Sequence, residues 1–482
     1  MTRNGRRIAI RAGWVVAYDG RGHRLLRDGT VVIEDDEVIY VGREFAGEVA
    51  ERVDARDKIL TPGLISAHAH IAGSPLDRSF IEDVGNPQFY YSGLFEMLPV
   101  RGAAQDAEGS RACVDFSMVE LLRGGVTTVT EMGGQGEYIA ECASTYGLRC
   151  YIAQGYRSGR WITHDGRSVA WEWDEDAGKL GLRAALAFVE RFDGAHDGLV
   201  RGFLSPMQVD TCTAELLVES HRLAEELKLP MQVHTSQSVN EFQEMLRRHG
   251  TTPIAWLAEI GALGPRVILG HAIVIGGSSW SNYPAGDIQI MADSGCSVAH
   301  AVWVFARRGI ALESFERYRR AGVNVALGTD TNPQSVLEAM RWASVIGKIV
   351  DRDTRAATGA EVFEAATLGG ARALGRDDLG RIAPGAKADL VLWKATSWTM
   401  TPLRDPVKNI VFNATHDDVD TVYVNGRRVV EAGRVLAADE PKILADLQAA
   451  GERMWPRMGE FDWAHRGADE LSPPTYPEWE GA

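Results

Sequence analysis

Six residues carry the chemistry open to this chain: His68, His70, His234, His271, His300 and Asp330. His68 and His70 end the apolar run GLISAHAH, His234 lies near the end of LPMQVHTS and His271 near the end of RVILGHAI. His300 sits within CSVAHAVW, and Asp330 closes VNVALGTD. Residues i and i+2 on a strand point to the same side, so His68 and His70 can hold one cation between them. Neutral imidazoles with one carboxylate suit Zn2+ and leave a position open for water. Fe2+ and Mn2+ are served by the same donors. Each residue taken singly has a plainer explanation. An HxH pair can be two inward polar residues, a lone buried histidine is commonly a hydrogen-bonded core residue, and Asp330 can cap the helix expected to begin near Ser335. The joint pattern decides against packing alone, because the five histidines and the aspartate fall at five separate strand ends.

The elements that must position them form one rhythm. From about residue 61 to 375, eight β-type runs (GLISAHAH, GGVTTVTEM, LRCYIAQG, LVRGFLSP, LPMQVHTS, RVILGHAI, CSVAHAVW and VNVALGTD) alternate with amphipathic stretches such as 213–228, and a further one, 335–350, follows the last. This predicts an α/β fold built on a parallel (β/α)8 TIM-like barrel, in which residues at the carboxyl ends of the strands share one face. A doubly wound open sheet has the same rhythm, but the chain has no GxGxxG continuation after Gly134 and Gly136 and no Walker sequence. Residues 1–60 and 376–437 are β-rich, with strands expected over 7–17, 30–40, 388–393, 408–412 and 420–430, the last a hairpin around Asn425-Gly426. These pieces could pair into one sandwich or stand as two modules. Residues 438–482 begin helically and end in an aromatic, Pro-rich tail that packs either on the barrel or on a second subunit, so a homo-oligomer is expected.

Composition narrows the partners. The chain has 482 residues, 45% hydrophobic and 24% charged, with a net charge of −15, which disfavours nucleic acid and anionic membrane surfaces. Its five cysteines are scattered without a CxxC pair, as expected of reduced thiols. Arg11 interrupts the apolar stretch of the basic start, and no run approaches the ~18 apolar residues of a membrane span, so a cytoplasmic protein acting on a small molecule is expected.

The motifs TPGLISAHAH (61–70), GGVTTV (124–129), QVH (232–234), GH (270–271), SVAH (297–300), NVALGTD (324–330) and LGRIAPGAKADLVLW (379–393) together resemble the amidohydrolase superfamily. The branch they are most similar to is that of the chlorohydrolases and aminohydrolases, with triazine hydrolases and guanine deaminase. The resemblance implies a barrel flanked by one composite β-sandwich made from both ends of the chain. It also implies that His68, His70, His234 and Asp330 are metal ligands, that His271 contacts the attacking water or the substrate, and that Asp330 accepts the water's proton. Two-metal relatives carry a lysine or glutamate at the end of the fourth barrel strand. Here LVRGFLSPMQVDT has neither, implying one divalent ion per chain, Zn2+ first.

Two departures bear on the reaction. Deaminases of this branch place a glutamate three residues after the fifth-strand histidine, where this chain has Gln237, and a histidine after the fourth-strand proline, where it has Met207. An amide hydrogen-bonds but transfers no proton. Hydrolysis of a carbon–nitrogen bond other than a peptide bond is therefore expected, in an amide, urea or carbamate of a small, apolar or aromatic molecule. The alternatives are deamination or dechlorination of an N-heteroaromatic ring, and a metal-free family member serving binding or assembly. Glu131 and Asp210 are candidate supporting acids. Met207, His300, Trp303, Tyr156, Trp161 and Phe305 are candidate substrate contacts.

Overall fold

The computed structural model describes residues 5–80, 85–313 and 315–479, so the extreme ends of the first and last expected segments lie outside the described residues. The N-terminal segment forms β1 (Arg7–Tyr18), β2 (His23–Glu34), β3 (Glu37–Gly42) and β4 (Glu51–Pro62). All eight expected runs of the middle region are strands. β5 (Leu64–Ala69), β6 (Val126–Gly133), β7 (Arg149–Gln154) and β10 (Val200–Gly202) form one parallel sheet in the order β10-β7-β6-β5, and a hairpin of β8 (Gly159–Ile162) and β9 (Ala170–Trp173) rises between β7 and β10. β11 (Met231–Thr235), β12 (Val267–His271), β13 (Ser297–His300) and β14 (Asn324–Leu327) form a second parallel sheet in sequence order. Parallel bridges Ala69↔Asp330 at one seam, and Leu204↔Met231 and Gln208↔His234 at the other, link the two sheets. The first seam needs Gly328, where a Cβ would stand 2.7 Å from that of His68. Strands buried on both faces explain why these runs read as continuous apolar stretches.

The helices between the strands start where their caps dictate. Thr213 Oγ1 accepts from Leu216 N (3.2 Å) ahead of the helix Ala214–Leu227. Ser335 Oγ accepts from Glu338 N (3.3 Å) ahead of Val336–Asp351, so Asp330 is left free of a capping role.

The chain's two ends share one sheet. β15 (Leu390–Lys394), β16 (Val419–Val424), β17 (Arg427–Glu431) and β18 (Arg434–Val435) complete an eight-stranded sheet of order β18-β17-β16-β15-β4-β1-β2-β3, with Leu392 opposite Leu60. Alternation sorts its faces: Leu390 and Leu392 join Ile8 and Ile10 in a small core, whereas Val391 and Trp393 pack into the large core of the strands and helices. The turn at Asn425 (φ 47°) and Gly426 (φ 69°) is the expected tight hairpin. Residues 408–412 are not a strand. They lie in the helix Pro406–Asn413, which Asp405 caps by accepting from Val407 N (3.1 Å) and Lys408 N (3.2 Å), with Pro406 in the first turn. Val407, Ile410 and Val411 supply its inward face at helical spacing.

The tail reaches back to the body. From the helix Glu440–Met454 and the turn after it, Ala450, Met454 and Met458 pack with Leu76, Phe80, Met97 and Val100, residues of the long connection after β5. Arg457 donates to Ala104 O (2.8 Å) and Arg466 pairs with Glu96 (3.1 Å). Tyr476 and Trp479 remain exposed. No helix among the described residues is long and apolar enough to cross a membrane.

Candidate active site

The carboxyl ends of four strands, β5, β11, β12 and β14, bring His68, His70, His234, His271 and Asp330 together. Hydrogen bonds from three of the rings set their tautomers. His68 Nδ1 meets Gln232 Oε1 (2.8 Å), His70 Nδ1 meets Met132 O (2.8 Å), and His234 Nδ1 meets Met207 O (2.6 Å). Each acceptor is a carbonyl oxygen, so each Nδ1 carries the hydrogen and each Nε2 presents its lone pair. Those lone pairs converge. His70 Nε2 and His234 Nε2 stand 3.2 Å apart on stacked rings, and His68 Nε2 is buried without a partner. Asp330 Oδ1 lies 3.7 Å from both His68 Nε2 and His70 Nε2, and Oδ2 lies 3.8 Å from His271 Nε2. Facing acceptors with no proton between them repel unless a cation lies among them. The donors make one divalent metal site, with imidazole and carboxylate chemistry that suits Zn2+.

The electrostatics prepare the same site. Burial, then the neighbouring rings, hold His70 down to about 4 and His234 well below the ordinary imidazole value. Burial likewise holds His271 and His300 down to about 3. Burial alone would raise the Asp330 carboxyl, but His68, His271 and His70 override it and hold it far below the ordinary range. At neutral pH the site therefore offers neutral imidazoles and a carboxylate, the forms that ligate metals. His271 (φ 85°) and Asp330 (φ 60°) sit in left-handed backbone, a strain of order 1–3 kcal/mol each that the surrounding packing must sustain.

A cavity of about 350 Å3 opens on this cluster. His70, His234, His271, Asp330, Glu131, Gln237, Met207 and Phe305 border it, Phe305 packing edge-on to the His271 ring at 4.7 Å. Glu131 Oε2 accepts from Ile71 N (2.6 Å), Oε1 has no partner, and burial pushes its carboxyl up to about 8. Gln237 Nε2 is buried without a partner, and its backbone N–H is held by Glu241 Oε2 (3.1 Å). The other expected contacts lie elsewhere. Tyr156 and Trp161 line a neighbouring cavity, Tyr156 bonding Ser220 Oγ (2.8 Å) and Trp161 Nε1 bonding Asp210 Oδ2 (2.7 Å). Asp210 accepts a second bond from Trp171 Nε1 (3.0 Å) and does not border the metal-side cavity. Trp303 packs on Trp342 and His300 on Phe315.

The family model for the amidohydrolase family matches residues 59–429. The chain belongs to that family. This amidohydrolase is accordingly a metal-dependent hydrolase. It is 29% identical over 434 residues to a 5'-deoxyadenosine deaminase of Methanothermobacter thermautotrophicus, covering 89% of this chain and 95% of the relative. It is 27% identical to a 5-methylthioadenosine/S-adenosylhomocysteine deaminase of Desulforudis audaxviator, covering 93% and 99%. The fold is shared with a zinc-bound adenosine deaminase of Xanthomonas campestris (TM-score 0.80, 23% identity, 93% and 98% coverage). It is shared also with a zinc-complexed atrazine chlorohydrolase of Arthrobacter aurescens (TM-score 0.79, 23% identity, 92% and 100% coverage).

Sequence reasoning missed Gln232, Glu241 and the charged residues of the cavity wall. Gln232 was within reach: it precedes His234 by two on β11 and so shares its face. The cavity-wall residues Asp77, Arg101 and Arg308 lie on connections that carry no periodic signal.

Proposed function

We propose that this amidohydrolase hydrolyses a C–N bond at a carbonyl carbon, in an amide, urea or carbamate of a small molecule seated in the metal-side cavity. The observation that carries this reading is Gln237, an amide on the cavity wall with a free buried Nε2. Attack on a heteroaromatic carbon breaks ring conjugation and calls for an acid at the ring nitrogen, whereas a carbonyl needs only hydrogen-bond donors at its oxygen. In this reading His68, His70, His234 and Asp330 hold the divalent ion, which when bound polarises a carbonyl and lowers the pKa of water. Asp330 takes the proton of the attacking water and passes it to the leaving nitrogen. His271 and Gln237 donate to the developing oxyanion. The apolar walls, Phe305 and Met207 among them, favour an apolar or aromatic substituent.

Ring deamination is the second reading. The curated relatives named as deaminases support it, as does Glu131, which is protonated below about pH 8 with its Oε1 free at the cavity. Turnover of zinc-loaded protein on aryl amides, ureas and carbamates is compared with ammonia release from 5'-deoxyadenosine, aminopyrimidines and aminotriazines. Ammonia release without carbonyl hydrolysis overturns the first reading, and its loss in Glu131→Gln identifies the acid. Purification without stoichiometric metal and without turnover indicates a binding or assembly protein.

The architecture belongs to this reading. The bridges at both seams support one closed (β/α)8 barrel over 61–375, and the shared terminal sheet supports a composite β-sandwich from 1–60 and 376–437, with 438–482 as an appended helix and tail. The exposed Tyr476 and Trp479 support association with a second copy, which sedimentation of a Tyr476→Ser/Trp479→Ser variant tests. Five free, buried thiols fit a reducing cytoplasm.

A further inference from the structure

The metal-side cavity holds one charge that the hydrolytic machinery does not use. Three charged residues line it away from the metal cluster and Glu131: Asp77, Arg101 and Arg308. Asp77 and Arg101 pair with each other, Nε to Oδ1 at 3.0 Å. The adjacent Arg307 is engaged elsewhere, donating to Asn332 O (2.9 Å) and Thr331 Oγ1 (3.3 Å). The Arg308 side chain has no hydrogen bond and no carboxylate within ion-pair distance among the described residues, and its Nε is buried without a partner. The wall makes room for it: a Cβ on Gly93 would stand 3.0 Å from Arg308 Nη1. Burial disfavours the charge of this half-buried guanidinium; Asp77 and Asp330 offset part of that cost from a distance, but among the described residues no carboxylate reaches ion-pair range. We propose that Arg308 binds a carboxylate on the substrate, and that this amidohydrolase acts on small molecules carrying an anionic group remote from the scissile C–N bond.

Position supports the assignment. Phe305 abuts the His271 ring, and Arg308 follows it by three residues, with Arg308 N donating to Phe305 O (3.0 Å) in the turn that ends the helix Val302–Ala306. The Arg308 backbone is thus about one helical turn, ~5 Å, along the chain from the residue beside the metal cluster, and its side chain reaches the same cavity wall. A substrate reaching both would place its reacting carbon at the cluster and its carboxylate against Arg308. A planar, singly charged carboxylate matches one guanidinium bidentately. A phosphate dianion would bring a second charge that the wall leaves unmatched.

This inference rests on the cavity being the substrate site and not on which C–N bond breaks, so binding is measured apart from turnover. Zinc-loaded full-length protein is titrated calorimetrically with 4-ureidobenzoate, its methyl ester and 4-ureidophenylphosphonate. The acid is expected to bind roughly 10- to 100-fold more tightly than the ester. Arg308→Gln should abolish that preference while leaving ester affinity unchanged, and Arg308→Lys should keep part of it. An acid preference that survives Arg308→Gln places the carboxylate on the metal and overturns the proposal. No binding of the acid, equal binding of acid and ester, or tighter binding of the phosphonate overturns it too. Tight Arg308-dependent binding without hydrolysis of any ureido compound would refute only the carbonyl reading of the reaction.

Discussion

Replacing Gln232 by methionine tests whether the hydrogen bonds behind the metal cluster set its affinity. Gln232 and His68 are completely buried; Gln232 Oε1 receives His68 Nδ1 (2.8 Å) and its Nε2 donates to Ala67 O (2.8 Å), which fixes the amide's orientation. Methionine fills a similar volume and removes both bonds. In the metal-free protein the His68 N–H and the Ala67 carbonyl are then buried unpaired, at ~1–3 kcal/mol each. The freed ring can carry its hydrogen on Nε2, where it blocks ligation. Loss of such a supporting acceptor typically weakens metal binding by ~10–100-fold, equivalent to ~1.4–2.8 kcal/mol. Chelator competition on folded apoprotein measures the second effect, and urea unfolding of the same apoprotein measures the first. Gln232→Glu keeps the acceptor and should recover most of the metal affinity. If Gln232→Met lowers apoprotein stability yet binds zinc within ~threefold of wild type, the tautomer argument is refuted and Gln232 is a core residue only.

Metal quantification should find about one ion per chain, and chelation should remove activity that zinc alone restores; two ions per active chain would contradict the shared use of His68 by both donor groupings. Asp330→Asn keeps an oxygen donor but loses the base, so kcat should fall by ~10²–10⁴-fold with metal still bound; a near wild-type rate would remove Asp330 from proton transfer. Glu131 tests linkage. Its folded carboxyl is raised from the ordinary 4.5 to about 8, so between these values the unfolded chain releases a proton that the folded chain keeps. Stability should therefore fall as pH rises through this window, by up to ~1.4 kcal/mol per pH unit, and Glu131→Gln should flatten that slope. Parallel wild-type and variant profiles would show that Glu131 does not titrate as its burial dictates.

The strand frame and metal donors were legible because both are local. Eight apolar runs became eight strands, and the i, i+2 spacing of His68 and His70 placed both rings on one side, since side-chain direction on a strand alternates with the sequence itself. The misread at 408–412 arose from the same locality: a short apolar stretch fits either period, and Asp405-Pro406 upstream was the cue to a helix start. The substrate wall was decided by tertiary structure. Phe80 and Met97 belong to the connection after β5, which the C-terminal helix region, hundreds of residues away, packs against through Met454 and Met458. Asp77 finds Arg101, and among the described residues the Arg308 guanidinium is left without an ion pair, because of where that connection and the one after β13 come to rest. Tyr156 lies just after β7 and Trp161 within β8, yet Ser220 and Asp210 take their polar groups into an adjoining space. Such choices depend on which distant side chain reaches a polar group first, and neither periodicity nor spacing encodes that.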